Sequence, residues 1–291
     1  MHFSRKSSIP LWFYPLWDLG DHKTLLISVS IRLRLTARPH NPQPTTQLEA
    51  KMSVPNLLLL SSSRVHGHGY LEHARAQLEN LFKASNVKTV LFVPYALRDH
   101  DKYTALVRNA IAPWGYDVEG LHTKENRGQA LRDAQALFVG GGNTFVLLRT
   151  LYELQLLEPI REQVLQRGLP YVGSSAGTNV ATSSIHTTND MPVAHPPSFE
   201  ALGLVPFNIN PHYLETDPNS EHKGETRDER IAEFVAYHCR PVLGLREGTS
   251  VRVEGNKATL LGDRNAKLFQ SDGGSKELPP QADLSFLLSK D

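Results

Sequence analysis

The sequence predicts an α/β fold: an open, mostly parallel sheet with helices on both faces and short antiparallel strands near the C-terminus. Three observations predict it. From Val54 onward, short runs rich in Leu and β-branched residues alternate with longer amphipathic runs, the pattern of strand–helix–strand crossovers. Two of the short runs end directly in small-residue turns, Gly140-Gly141-Gly142-Asn143 and Gly173-Ser174-Ser175-Ala176-Gly177. At 291 residues with 40% apolar content, the chain can bury one sizeable core.

The first 51 residues stand apart. They mix aromatics (Phe3, Trp12, Phe13, Tyr14, Trp17) with a Pro- and Thr-rich stretch, and neither helical nor strand periodicity is good. Basic Arg5, Lys6, Lys23, Arg32, Arg34, Arg38 and Lys51 outnumber Asp18, Asp21 and Glu49, faintly as in a transit peptide. The two aspartates interrupt that pattern, and no small-residue cleavage site follows an apolar core. Met52 directly precedes the first convincing strand. Residues 1–51 are therefore read as a disordered or alternative-start extension, and residues 52–291 as one α/β domain with an irregular C-terminal tail.

Within that domain the strands expected are Asn56–Leu60, Thr89–Pro94, Tyr116–Leu121, Ala136–Val139 and Tyr171–Gly173. Amphipathic spacing between them predicts helices over Tyr70–Lys83, Tyr103–Trp114, Arg127–Ala134 and Thr144–Arg167. After Ser184 come loops rich in Pro, Asn and His. A helix over Arg227–His238 follows, opened by the capping-box pattern Thr226-x-x-Glu229. Short strands are expected at Val242–Leu245, Ser250–Val253 and Ala258–Leu261, and the segment with Gly273-Gly274 and Pro279-Pro280 reads as a meandering tail.

Composition narrows the function. The chain has 31 basic and 30 acidic residues and no sustained basic block, so neither a nucleic-acid surface nor a polybasic membrane anchor is expected. No apolar stretch approaches the roughly 20 residues of a membrane span. The single cysteine, Cys239, rules out an intramolecular disulfide and fits a reducing, cytoplasmic setting. His66 and His68 lack a third ligand at metal-binding spacing, so a glycine-rich surface loop is the better reading and neither metal nor cofactor is expected.

A serine hydroxyl becomes a nucleophile when a base takes its proton and a third group orients the base. Ser175 sits in a Gly-x-Ser-x-Gly turn leaving a strand, which exposes such a hydroxyl. If a helix starts at Ala176, its first N–H groups lie beside that hydroxyl and can hold an oxyanion. The bare backbone of Gly140-Gly141-Gly142, after another strand, can supply a second donor. It lacks the Gly-x-Gly-x-x-Gly spacing and the Lys-Ser/Thr pair of nucleotide loops. Ligands of open α/β sheets collect beyond the carboxyl ends of the strands, so these two turns and Ser61-Ser62-Ser63 should share one edge. Of the 13 histidines, His212 in Asn210-Pro211-His212 is the best-placed base. Two carboxylates, Asp190 and Glu247, compete to orient it, and the spacing does not choose between them. Arg227 falls at the first helical position after Thr226. A cation there opposes the helix dipole by roughly 0.3–1 kcal/mol when exposed, and two readings stand side by side: a solvated arginine beside Asp228 or Glu225, or a guanidinium fork for a ligand carboxylate.

Taken together, Gly140-Gly141-Gly142-Asn143-Thr144-Phe145, Gly173-Ser174-Ser175-Ala176-Gly177, Thr187-Thr188-Asn189-Asp190-Met191-Pro192, Ile209-Asn210-Pro211-His212-Tyr213 and His222-Lys223-Gly224-Glu225-Thr226-Arg227 resemble the peptidase E, or α-aspartyl dipeptidase, family. The similarity runs from Met52 to about Phe269 and leaves out the first 51 residues. It implies a class I glutamine amidotransferase-like fold and hydrolysis of dipeptides that begin with aspartate. By the same resemblance Ser175 is the nucleophile, His212 the base and Asp190 the third member, with Glu247 as the alternative. Ala176 and Gly141 are then the oxyanion donors, and Arg227 and Asn143 bind the substrate. Many bacterial members carry tryptophan where this chain has Ser174, a departure that alters the pocket wall rather than the nucleophile's frame. The expected partner is a small dipeptide, and a homodimer is compatible with the sequence. An α/β-hydrolase esterase uses a similar turn but normally places more βα units than the 37 residues between Ser175 and His212. A cyanophycinase-like hydrolase of β-aspartyl peptides and a non-catalytic binder of the same fold are the other readings.

Overall fold

Leu57-Leu58-Leu59-Leu60 has no polar alternate position, so both faces of the strand it forms must be covered. In the computed structural model all four leucines are at most 1% exposed, and burying each contributes roughly 1.5–3 kcal/mol. The structure describes residues 54–289 apart from 216, 218, 220, 222 and 223. The expected extension over residues 1–51, and Met52, lie outside the described residues.

The strands are β1 (Asn56–Leu60), β2 (Thr89–Val93), β3 (Asp117–Gly120), β4 (Leu137–Val139), β5 (Tyr171–Ser174), β6 (Asn208–Asn210), β7 (Val242–Gly244), β8 (Ser250–Glu254), β9 (Lys257–Leu261), β10 (Ala266–Phe269) and β11 (Ser275–Leu278). The main sheet has the order β3-β2-β4-β5-β1-β8-β9. Its first five strands are parallel, and β8 and β9 add antiparallel at one side. The helices are α1 (Arg75–Ala84), α2 (His100–Ile111), α3 (Arg127–Asp133), α4 (Thr144–Glu153), α5 (Leu157–Arg161), α6 (Ala176–Ala181) and α7 (Arg227–His238). Residues of α1 and α2 pack with Leu58 and Leu60 on one face. Residues of α3 to α6 pack with Leu57 and Leu59 on the other. This is the α/β architecture with helices on both faces that the alternating pattern predicts.

Three details depart from the expectations. The helix expected over Thr144–Arg167 is broken after Glu153, where Gln155 adopts φ 53° and the Leu156 N–H closes on Leu151 O at 2.9 Å. The apolar run through Leu156 and Leu157 masks that stop. The expected meandering tail instead contains β11, which pairs back on β10 in a hairpin turned at Gly273 (φ 86°). That hairpin belongs to a second sheet, ordered β11-β10-β7-β6, so the C-terminal half does not simply extend the first. Among the described residues no helix is long and apolar enough to cross a membrane.

The arrangement positions three turns. In the sheet, β4, β5 and β1 are neighbours, with Val139 opposite Gly173 and Leu60 opposite Ser174. The triglycine turn, the serine turn and Ser61 thus leave adjacent strands at one edge.

Candidate active site

The chain leaves β5 into Ser175, which adopts φ 54°, ψ −108°, immediately before α6. A residue with a β-carbon held there stores about 1–3 kcal/mol of strain. Its surroundings hold it: Ser175 N–H donates to Leu60 O at 3.2 Å, and the N–H groups of Thr178 and Asn179 donate to Ser175 O at 2.9 Å each. The turn also requires glycine by proximity, because a β-carbon on Gly177 would lie 2.0 Å from Val139 O. Ala176, fully buried, is the first helical residue, and an N–H at that position has no partner within its own helix.

Gly140-Gly141-Gly142 passes directly alongside. A β-carbon on Gly141 would sit 3.1 Å from the Ser175 β-carbon, and one on Gly142 (φ +134°) only 2.5 Å from Ala96 O. Behind this turn the Tyr103 hydroxyl lies against Gly140, where an added β-carbon would come within 2.6 Å of it, and it takes a 3.3 Å bond from the Tyr70 hydroxyl. Burial pushes the Tyr103 phenol upward, so it stays protonated.

His212 follows β6 and Pro211 and adopts φ 53°. Its Nε2 lies 2.9 Å from Ser175 Oγ, and its Nδ1 lies 2.8 Å from Glu247 Oε1. An ionised carboxylate only accepts, so Nδ1 carries the proton and Nε2 is the free lone pair that faces the serine O–H. A hydroxyl, an imidazole and a carboxylate thus stand in one bonded line, the order that activation of a serine oxygen requires.

Asp190, the first choice for that acid from sequence, is engaged elsewhere. Its Oδ2 accepts from Thr144 N–H at 2.7 Å, from Thr144 Oγ1 at 2.6 Å and from Thr188 Oγ1 at 3.1 Å. It thereby ties the loop after Thr187 to the first residue of α4. Glu247, on the turn beyond β7, makes the contact with the imidazole instead. Asn143, expected to bind substrate, has both ends of its amide occupied: Oδ1 caps α4 by accepting from Val146 N–H at 3.1 Å, and Nδ2 donates to Met191 O at 2.9 Å. A residue at that N-cap position is held by the orphan N–H groups of the helix.

Arg227 is where the capping box puts it. Thr226 Oγ1 accepts from Glu229 N–H and Glu229 Oε2 accepts from Thr226 N–H. The neighbouring acids are taken: Glu225 pairs with Arg230 at 3.6 Å, while Asp228 accepts from Tyr213 Oη at 2.6 Å and binds Lys267. Among the described residues Arg227 Nη1 has no hydrogen-bond partner although it is buried, and burial, with Arg230 nearby, pushes its pKa down. Arg227 lines a hollow of about 190 Å³ with Asp190, Asn189, Asn210 and Thr188. The Asn189 amide on that wall donates to Pro211 O at 2.8 Å, which couples the hollow to the residue before His212. His66 and His68 lie exposed on the loop after β1, and Cys239 is exposed at the end of α7.

Sequence reasoning left Ser61 without a role beyond its place at the sheet edge. Its hydroxyl accepts from His212 N–H at 2.9 Å and donates to Leu245 O at 2.8 Å. A lone serine after a strand carries no pattern that announces such bonds.

Known proteins similar to this chain are named as peptidases. A profile described as Peptidase family S51 matches residues 57–261. A Drosophila melanogaster protein named "Probable alpha-aspartyl dipeptidase" is 80% identical over 238 residues, covering 82% of this chain and 99% of its own. "Peptidase E" of Streptomyces coelicolor is 55% identical over 233 residues, covering 80% and 95%. Among solved structures, a peptidase from an acI-B1 Actinobacterium superposes with a TM-score of 0.60 at 20% identity, covering 80% of this chain and 97% of that one. A Peptidase E protein from Listeria monocytogenes superposes with a TM-score of 0.55 at 22% identity, covering 72% and 99%. At those identities the two structures speak to the fold alone.

Proposed function

This chain belongs to peptidase family S51, and from that membership we propose that it hydrolyses α-aspartyl dipeptides through an acyl-enzyme on Ser175. The observation that carries the assignment of roles is the continuous bonded line from Ser175 Oγ through His212 to Glu247, at 2.9 and 2.8 Å. His212 Nε2 takes the hydroxyl proton as Ser175 Oγ attacks the carbonyl carbon of the aspartyl residue. The carbonyl electrons move to oxygen, where the Ala176 N–H and the backbone around Gly141 face the charge. Collapse of the tetrahedral intermediate breaks the peptide C–N bond, and the leaving amine receives the proton from His212. Water, deprotonated by the same imidazole, then attacks the ester and releases aspartate and free Ser175. Throughout, Glu247 keeps the imidazole in the Nδ1–H tautomer and offsets its charge when protonated.

Arg227 supplies the preference for aspartate. Its guanidinium, lacking a carboxylate partner among the described residues, pairs with the side-chain carboxylate of the substrate. The test is hydrolysis of α-Asp-Leu, β-Asp-Leu, Asn-Leu and p-nitrophenyl esters by the parent and by Ser175→Ala. α-Asp-Leu should be the preferred substrate and Ser175→Ala should retain binding without turnover. Undiminished cleavage by Ser175→Ala removes the nucleophile, and preferred cleavage of β-Asp-Leu replaces the substrate class.

A further inference from the structure

Ser61 is the first residue beyond β1 and is wholly buried. Three loops meet at it and at Leu60. Leu60 O accepts from Ser175 N–H at 3.2 Å and from Thr178 Oγ1 at 2.7 Å. Ser61 N–H donates to Thr249 O at 3.0 Å, two residues after Glu247. The Ser61 hydroxyl has one proton, and because His212 N–H is itself a donor, that proton points to Leu245 O while an oxygen lone pair receives the His212 amide. Leu60, the last residue of β1, and Ser61, the first beyond it, thus bond to the segments that bear the serine, the imidazole and the carboxylate.

The two bonds of the hydroxyl differ in what depends on them. Leu245 O also accepts from Tyr213 N–H at 2.9 Å, so it keeps a partner if the hydroxyl is lost. His212 N–H has no other acceptor among the described residues. His212 also holds φ 53°, a conformation that a residue with a β-carbon keeps only when its surroundings enforce it. Resting on the reading of Ser175, His212 and Glu247 given above, we propose that Ser61 is a positioning residue, whose hydroxyl fixes the backbone of the base so that its ring spans the serine and the carboxylate at once.

A displaced imidazole slows proton transfer without touching substrate recognition, so the effect belongs in kcat rather than KM. Ser61→Ala should lower kcat for α-Asp-Leu about 10–100-fold, equivalent to about 1.4–2.7 kcal/mol, with KM within twofold. Labelling of Ser175 by a fluorophosphonate, which needs the base but not the aspartyl pocket, should slow by a similar factor. Ser61→Cys fills nearly the same space with a weak hydrogen-bond partner. It should show the same fall, whereas parent-like turnover would mean that only packing matters at this position and would overturn the proposal. The assays are run below the melting midpoint of each variant, with His212→Ala as the reference. A folded Ser61→Ala enzyme with kcat within twofold of the parent, beside an inactive His212→Ala, removes Ser61 and leaves the triad standing. An active His212→Ala removes the triad, and the role of Ser61 with it.

Discussion

Glu247 Oε1 and His212 Nδ1 are 2.8 Å apart, on the opposite side of the imidazole ring from Ser175. Glu247 comes from the turn after β7, and His212 from the end of its parallel neighbour β6. Their approach is therefore a property of the second sheet. The carboxylate is 48% exposed, so it contributes to orientation more than to packing.

Glu247→Ala and Asp190→Asn should accordingly fail in different ways. Loss of Glu247 should cut kcat by about 10²–10⁴-fold with little change in melting midpoint. Loss of the Asp190 charge weakens three bonds to Thr144 and Thr188 and should destabilise the protein by roughly 1–3 kcal/mol. Kinetics and thermal melts of the two variants check the contrast. An Asp190→Asn enzyme with parent stability and a Glu247-like kcat defect would reassign the acid.

Arg227→Ala should raise KM for α-Asp-Leu and lower kcat/KM by an amount equivalent to about 3–5 kcal/mol, the cost of leaving a buried charge without its partner. Asn-Leu, which offers no carboxylate at that position, should lose far less. Arg227→Lys should recover only part of the difference, since an ammonium cannot reproduce a bidentate fork. Steady-state assays with both dipeptides measure this; equal losses on both would detach Arg227 from the side-chain carboxylate.

Gly177→Ala places a β-carbon 2.0 Å from Val139 O, so β4 and α6 must separate. Such overpacking costs typically about 1–3 kcal/mol, and it also shifts the Ser175 turn relative to Gly141. The variant should melt lower and lose activity together. A fully active protein with an unchanged midpoint would mean that the backbone there yields freely.

Acid should weaken the fold before the carboxylates titrate. His73, His100 and His186 all have lowered pKa values, in each case mainly from burial, with a neighbouring histidine adding to it. Below the ordinary histidine value of about 6.5, the unfolded chain takes up protons that the folded chain resists. Stability is thus present above about pH 6.5 and falls as the pH drops below it. Melting midpoints recorded from pH 7.5 to 5 should decline, and His73→Gln should flatten part of the slope.

Much of this was legible in the sequence. β1, the serine turn and α7 lie where strand composition, paired glycines and the Thr226–Glu229 box put them, because each signal is local. The break at Gln155 was hidden by leucines on both sides. The second sheet was hidden because pairing between β6 and β7 or β7 and β10 is set by contacts across long stretches of chain. The choice between Asp190 and Glu247 was open for the same reason: both sit in polar turns, and only the tertiary arrangement shows that one is bonded to Thr144 while the other reaches the imidazole. The tie between Ser61 and His212 spans 151 residues, and no local pattern encodes it.

The full burial of β1 bears on how the protein is made. β1 is the first strand of the described chain, yet its sheet partners are Tyr171–Ser174 on one side and Ser250–Glu254 on the other, and Arg252 reaches Leu57 O across 195 residues. During synthesis the four leucines emerge long before either partner exists. Non-local pairing of this kind slows folding and leaves an apolar edge exposed in the interim. Chains that terminate before β8 therefore lack a cover for this strand and are prone to associate with one another. One side of β1 therefore stays without its partner strand until Ser250–Glu254 has left the ribosome.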